Sequence, residues 1–249
     1  MFENILFHPN LFQSLSFGFV SARTVIAAPH NAILIDRWSG FATLQSRIHD
    51  IWVRFFASSM KDDLRYTPSD CFETFPFPVG WESDPQMEAV GREYYDYRAQ
   101  LMVRNDEGLT ATYNRFHDPD EADPEILKLR TLHDAMDRAV LAAYGWTDLQ
   151  PQCKFLLDYE DEDSEDEEES GRPRKRKKPW RYRWPDEVRD EVLARLLALN
   201  SERAQQEREQ QMAAAFLGDT KSKPEKKASR SKKPAKNPEE PSGGQGSLF

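Results

Sequence analysis

The sequence predicts an α+β fold: a small mixed module of strands and helices, then a helical segment, with acidic and basic stretches left disordered. Three observations predict it. β-Rich runs cluster near the N-terminus, and four later stretches carry apolar residues at helical spacing. Charge, 31% of the chain against 39% hydrophobic residues, is gathered into blocks. A composition this polar leaves part of the chain unable to bury enough apolar surface to fold.

The elements follow in order. Within 1–36, Phe17–Val20 and Ile33–Asp36 are rich in β-branched and aromatic residues and read as strands. Residues 39–57 read as one buried helix. Phe41, Leu44, Ile48, Ile51 and Phe55 share a face, Trp52 and Phe56 lie beside it, and Ser39 is placed to cap its start. Over 58–80, Pro68, Pro76 and Pro78 interrupt helix and strand alike. There the FPFP run reads as an extended apolar strap on the outside of a core, and Ser69 with Asp70 as a short capped turn.

Residues 85–107 read as a helix with Met87, Val90, Tyr94, Tyr97 and Leu101 inward, and 109–119 as a turn or short helix. Asp123 and Pro124 are a cap and a first-turn proline. The helix they open runs to about Tyr144, with Ile126, Leu129, Leu132, Met136 and Val140 as its core stripe and Gly145 as its stop. Pro185 opens a last helix with a narrow seam of Val188, Val192, Leu196 and Leu199. Beyond about 218 the Lys, Ser, Pro and Gly content predicts disorder.

The net charge of −9 is unevenly spread: −8 over residues 1–157, −10 over 158–169 and +9 over 170–249. Like charges keep DYEDEDSEDEEE from folding at neutral pH, so it reads as a solvated spacer, and the basic tail suits a polyanion. A uniformly basic nucleic-acid binder is excluded; any such surface is a local patch. Cys71 and Cys153 lack zinc spacing and cannot found a disulfide framework. Neither a signal peptide nor an apolar run long enough to span a bilayer is read, which makes the cytoplasm the expected location.

Catalytic motifs are absent from the sequence. There is no GxGxxG, no P-loop, no GxSxG and no Asn/Asp-Pro-Pro-Tyr/Phe tetrapeptide of the kind that grips a flipped adenine. The single ExK match, Glu225-Lys226-Lys227, lies in the low-complexity tail and reads as chance, because a flexible tail cannot preorganise a metal site. His49 and His133 read as packing histidines. No catalytic residue and no metal ligand is assigned.

One segment carries a resemblance. In residues 38–78, WSGFATLQSRIHDIWVRFFASSMKDDLRYTPSDCFETFPFP, the pattern W-x-R (52–54), K-x-x-x-R-Y-T (61–67) and F-P-x-P (75–78) is similar to a stretch near the C-terminus of large adenine-specific DNA methyltransferases. These are single-chain restriction-modification enzymes and phage-defence methylases of the DISARM type. GLTATYNRFHDP and LHDAMDRAVLAAYGW resemble the helical segment that follows in the same enzymes. The resemblance implies a part that holds and reads double-stranded DNA. S-adenosylmethionine and the transfer to adenine N6 would belong to a catalytic domain or subunit elsewhere, with no cofactor in this chain. It also implies a truncated or split product, or a separate subunit; an interaction protein docking through its helices, and a non-functional remnant, stay open beside it.

On this reading the chain divides into a partial target-recognition module (1–80), a helical segment (81–157), an acidic-then-basic linker (158–184), a C-terminal helix (185–217) and a tail (218–249). Arg54, Ser58, Ser59, Lys61, Arg65 and Tyr66, around the proline-rich strap, are the expected DNA contacts. Arg and Lys hold phosphates, Ser hydroxyls donate to them, and a bidentate Arg reads guanine. Against this, Arg65 could pair with Asp62 or Asp63 and Tyr66 could simply pack. Arg174, Lys175, Arg176, Lys177 and Lys178 are possible backbone contacts; they could equally neutralise the acidic run before them. Trp52, Phe55, Phe72, Phe75 and Phe77 read as core. Tyr113 and Asn114 read as a functional turn or a local helix cap.

Overall fold

The first strand is set by an inward row. Ile5, Leu6 and His8 are buried along β1 (Asn4–Pro9), which the sequence reading left unassigned. In this computed structural model, which describes residues 3–9, 11–12, 14–60, 63–157 and 180–219, β1 is the centre of a three-stranded antiparallel sheet. β2 (Leu11–Phe12) leaves that sheet for a second one. β3 (Gly18–Ser21) and β4 (His30–Ile33) flank β1, in register Ile5 to Val20 and Phe7 to Ala32. β4 thus ends at Ile33, where the expected second strand began.

The buried helix expected over 39–57 is two helices. α1 (Trp38–Gln45) and α2 (Arg47–Phe56) meet at Ser46, whose backbone is extended at φ −67°, ψ 158°. Ser46 Oγ accepts the His49 N–H at 3.4 Å, an N-cap that starts α2 afresh. The break also turns the Arg47 N–H toward Asp137 Oδ1, 2.9 Å away. Ser39 is not the cap of α1: that helix begins one residue earlier, and the Ser39 N–H donates to Glu88 Oε2 at 2.8 Å.

β5 (Ser58–Met60) and β6 (Asp63–Arg65) form a hairpin, and β6 also pairs with β2. A four-residue α3 (Pro68–Cys71) and a 3₁₀ turn (Trp81–Ser83) lead to α4 (Pro85–Asn105), capped by the Asp84 carboxylate on the Gln86 and Met87 amides. Gly91 is the close-approach residue of α4. A Cβ there would stand 2.3 Å from the Trp38 carbonyl oxygen, so only glycine lets α4 lie directly on α1.

α5 (Leu109–Phe116) is followed by α6 (Pro124–Ala143). As expected, Asp123 caps α6 by accepting the Glu125 N–H at 2.9 Å, and Gly145 adopts φ 77° just past its end. β7 (Lys154–Leu157) pairs with β8 (Trp180–Arg183). This pairing was not expected; it ties together the two ends of the interval holding the acidic and basic runs, which lie outside the described residues. α7 (Asp186–Asp219) places Val192 and Leu196 in the core, and Arg195 grips Asp148 at 2.6 and 2.9 Å. Met1–Gln205 is one compact unit; the other, Gln206–Phe249, is described only as the end of α7. The chain is therefore α+β: small antiparallel sheets with helices packed beside them. No helix among the described residues is long and apolar enough to cross a membrane.

Candidate nucleic-acid interface

α2 is strongly two-faced. Ile48, Ile51 and Trp52 are buried, while Asp50, Arg54 and Phe55 turn outward. Arg54 Nε donates to Asp50 Oδ2 at 2.8 Å, a pair one helical turn apart. Phe55, expected in the core, is 55% exposed and leans edge-on against Phe56. The 3.6-residue repeat placed it inward with Ile48 and Ile51, but burial along α2 ends at Val53 and Phe55 lies in the last turn, where the helix leaves the core. The chain leaves α2 directly into β5, so Arg54, Phe55 and the β5–β6 hairpin belong to one continuous stretch.

Beside α2 lies a pocket of about 60 Å³. Ser14 and Leu15, just after β2, form one edge, and Asp50, Ile51 and Arg54 of α2 the next. Tyr113 and Phe116 of α5, with His117 and His133, continue the wall. Arg181, Tyr182, Arg183 and Trp184, with Arg189 of α7, close it. Among the described residues the wall holds five arginines, counting Arg47, and one carboxylate, Asp50.

Arg47 sits at its buried end. Nη1 donates to Asp134 Oδ1 at 2.9 Å and to Asp137 Oδ2 at 2.5 Å, and lies 3.1 Å from His133 Nδ1. The guanidinium carbon is 5.2 Å from the centre of the Tyr182 ring and 5.9 Å from that of Phe116. Burial alone would raise the Asp137 pKa. Arg47 and His133 outweigh it and hold the carboxyl below its ordinary range. His117 is driven well below its ordinary pKa, first by burial and then by Arg181 and Arg47. Its Nδ1 accepts the Tyr182 N–H at 3.1 Å, so the ring proton resides on Nε2.

The expected contacts are distributed unevenly. Arg54 lines the pocket, and Arg65 is exposed on β6 opposite Ser58. Ser58 and Ser59 stand on β5. Lys61, and Arg174, Lys175, Arg176, Lys177 and Lys178, lie outside the described residues. Tyr66 is a correction: it is 1% exposed, its hydroxyl lies 3.2 Å from His49 Nε2, and its ring packs against His8 and Phe17. Burial pushes its hydroxyl far above the usual range. Tyr66 is packed beneath this surface and is not part of it. Tyr113 and Asn114 also differ from expectation, since both lie inside α5 and Gly108 takes the cap position.

Sequence reasoning missed Arg47, His117 and Arg189. Arg47 was hidden in a stretch read for its apolar face. The alternation in WRYRW, residues 180–184, was a usable signal for a strand.

The segment running from the approach to β3 through both helices, the hairpin and the proline strap is similar to a known target-recognition region. The family model it matches is described as MmeI, target recognition domain, over residues 13–79. A solved structure similar to the chain is that of the Type IIL restriction-modification enzyme MmeI in complex with DNA. Identity is 23% and the TM-score 0.46, over 57% of this chain and 18% of that one, so the chain spans a small part of that enzyme's length. The comparison with curated proteins gave no match.

Proposed function

We propose that this chain supplies the DNA-recognition part of an adenine-specific restriction-modification or phage-defence methyltransferase, acting in the cytoplasm. In this reading S-adenosylmethionine and methyl transfer belong to a catalytic domain or subunit other than the residues described above. The observation that carries it is the match of residues 13–79 to a target-recognition domain, because that stretch contains α2 and the β5–β6 hairpin. Arg54 and Arg65 lie on it, and the arginine wall adjoins it. Guanidinium groups on such a surface neutralise phosphates and can read a base edge by two parallel hydrogen bonds.

The test is a salt titration of duplex binding, with the full chain and a labelled duplex, with and without a partner methylase. Affinity should fall linearly on a log–log plot, by about 0.9 in slope per phosphate neutralised. Labelled methyl transfer to adenine should require the catalytic chain. A flat salt response in both settings, or methylation by this chain unaided, defeats the reading.

A further inference from the structure

We propose that the arginine-walled pocket between α2, α5, β8 and α7 is a binding site for a single phosphate group. The carrying observation is Arg47. Its side chain is 8% exposed, and its Nη2 is buried with no hydrogen-bond partner among the described residues. Among the described residues its side-chain partners gather on Nη1: Asp134 and Asp137 accept from it, and His133 Nδ1 lies beside it. Leaving a buried charged donor unsatisfied costs on the order of 1–3 kcal/mol or more. An acceptor entering the pocket that Arg47 lines would remove that cost.

The pocket's size and wall select the acceptor. A volume of about 60 Å³ suits a few waters or one tetrahedral oxyanion, since each water needs at least roughly 10–15 Å³ on this measure. It does not suit a base with its sugar. Arg54, Arg181, Arg183 and Arg189 bring guanidinium groups to the wall from several directions. A phosphate offers three or four oxygens to such an array, whereas a carboxylate offers two in one plane. Among the described residues Asp50 is the carboxylate in the wall, and it pairs with Arg54. Asp134 and Asp137, paired with Arg47, and Asp186 and Asp190, paired with Arg183 and Arg189, are not part of it. His117, neutral with its proton on Nε2, adds an uncharged donor.

The phosphate could come from a duplex backbone, which deepens the DNA-recognition reading and rests on it, or from free phosphate. The test is calorimetric titration of the full chain with inorganic phosphate against chloride at matched ionic strength, repeated with duplex present. Phosphate should bind in preference to chloride. Arg181→Gln and Arg189→Gln should each weaken it by about tenfold, the share of one charge-assisted hydrogen bond, with circular dichroism unchanged. Arg92→Gln, on the exposed face of α4, should leave it as it was. If the source is the backbone, duplex displaces phosphate and the same variants weaken both. If it is free phosphate, the two bind together.

Phosphate binding no better than chloride, or undiminished in both pocket variants, overturns the proposal. Duplex affinity without phosphate binding would end this proposal and leave the DNA-recognition reading intact. Phosphate binding without duplex affinity would do the reverse.

Discussion

Arg47 and Arg98, two of the arginines buried in this unit, are used differently. Arg98, on α4, is 3% exposed and meets neutral acceptors: Phe17 O at 2.5 Å, Gln45 Oε1 at 3.0 Å and Tyr113 Oη at 3.0 Å. Phe41, Tyr94 and Tyr95 present ring faces to it at 5.5–5.6 Å. None of its nitrogens is left as a buried orphan among the described residues. Gln45 in turn accepts the Phe17 N–H and donates to Leu15 O, so this network clips the segment 15–17, just before β3, onto the helices. Arg47 meets two carboxylates through one nitrogen and, among the described residues, keeps another unpartnered. A fully satisfied buried cation acts as a staple. A half-satisfied one lining a pocket is a waiting donor.

Substitutions separate the two arginines in a graded way. The largest effect belongs to Arg47→Met, which strips the buried Asp137 carboxylate of its guanidinium partner and should cost about 3–5 kcal/mol in chemical denaturation. Adding Asp137→Leu should restore a large part of it, because the uncompensated charge is gone. A double mutant no better than the single would refute the pairing.

Acid comes next, and it reaches the Arg98 side first. His8 packs on Phe17, whose carbonyl Arg98 holds, and its Nδ1 donates to Ser16 O at 2.8 Å. Burial lowers the His8 pKa to about 4 and the His49 pKa to about 3. Both are neutral when folded and bind a proton near pH 6.5 when unfolded. The stability they contribute is therefore whole above pH 6.5 and declines as the pH falls toward 4, by about 3 kcal/mol from His8 alone. Asp137, held below its ordinary value of 3.8, contributes above that value and is lost only in stronger acid. A melting temperature that is flat from pH 7 to 4 would contradict the histidine assignment.

Arg98→Met should cost about 2–3 kcal/mol through the stranded acceptors. No carboxylate stands opposite, so no second-site removal of a charge should rescue it. The smallest effect is that of Tyr113→Phe. It removes hydrogen bonds to Arg98 and Tyr94 and should cost about 1 kcal/mol, read as a small drop in melting temperature.

The same contrast explains what the sequence disclosed. α4 and α6 were legible because their determinants are local: Asp84 and Asp123 cap, prolines follow, and apolar residues recur along one stripe. The split at Ser46 was not, because it is held by Asp137, 90 residues away along the chain. Nor was the β7–β8 pairing, whose partners are separated by two charged runs. For the site, Arg54 and Arg65 were found from the residue types around a proline strap. Tyr66 was misplaced because only the fold brings His8, Phe17 and His49 around it. Arg47 and the arginines of WRYRWP became visible as one wall only when α2 and β8 came together.

In the proposed function α2 and the β5–β6 hairpin form a surface that holds duplex DNA. The decisive measurement compares the salt dependence of duplex binding in the wild-type chain and in Arg54→Gln/Arg65→Gln. The double variant should bind more weakly, with a log–log slope smaller by about two, one for each lost phosphate contact, and with the melting temperature held. An identical affinity and slope in the two proteins would rule that surface out.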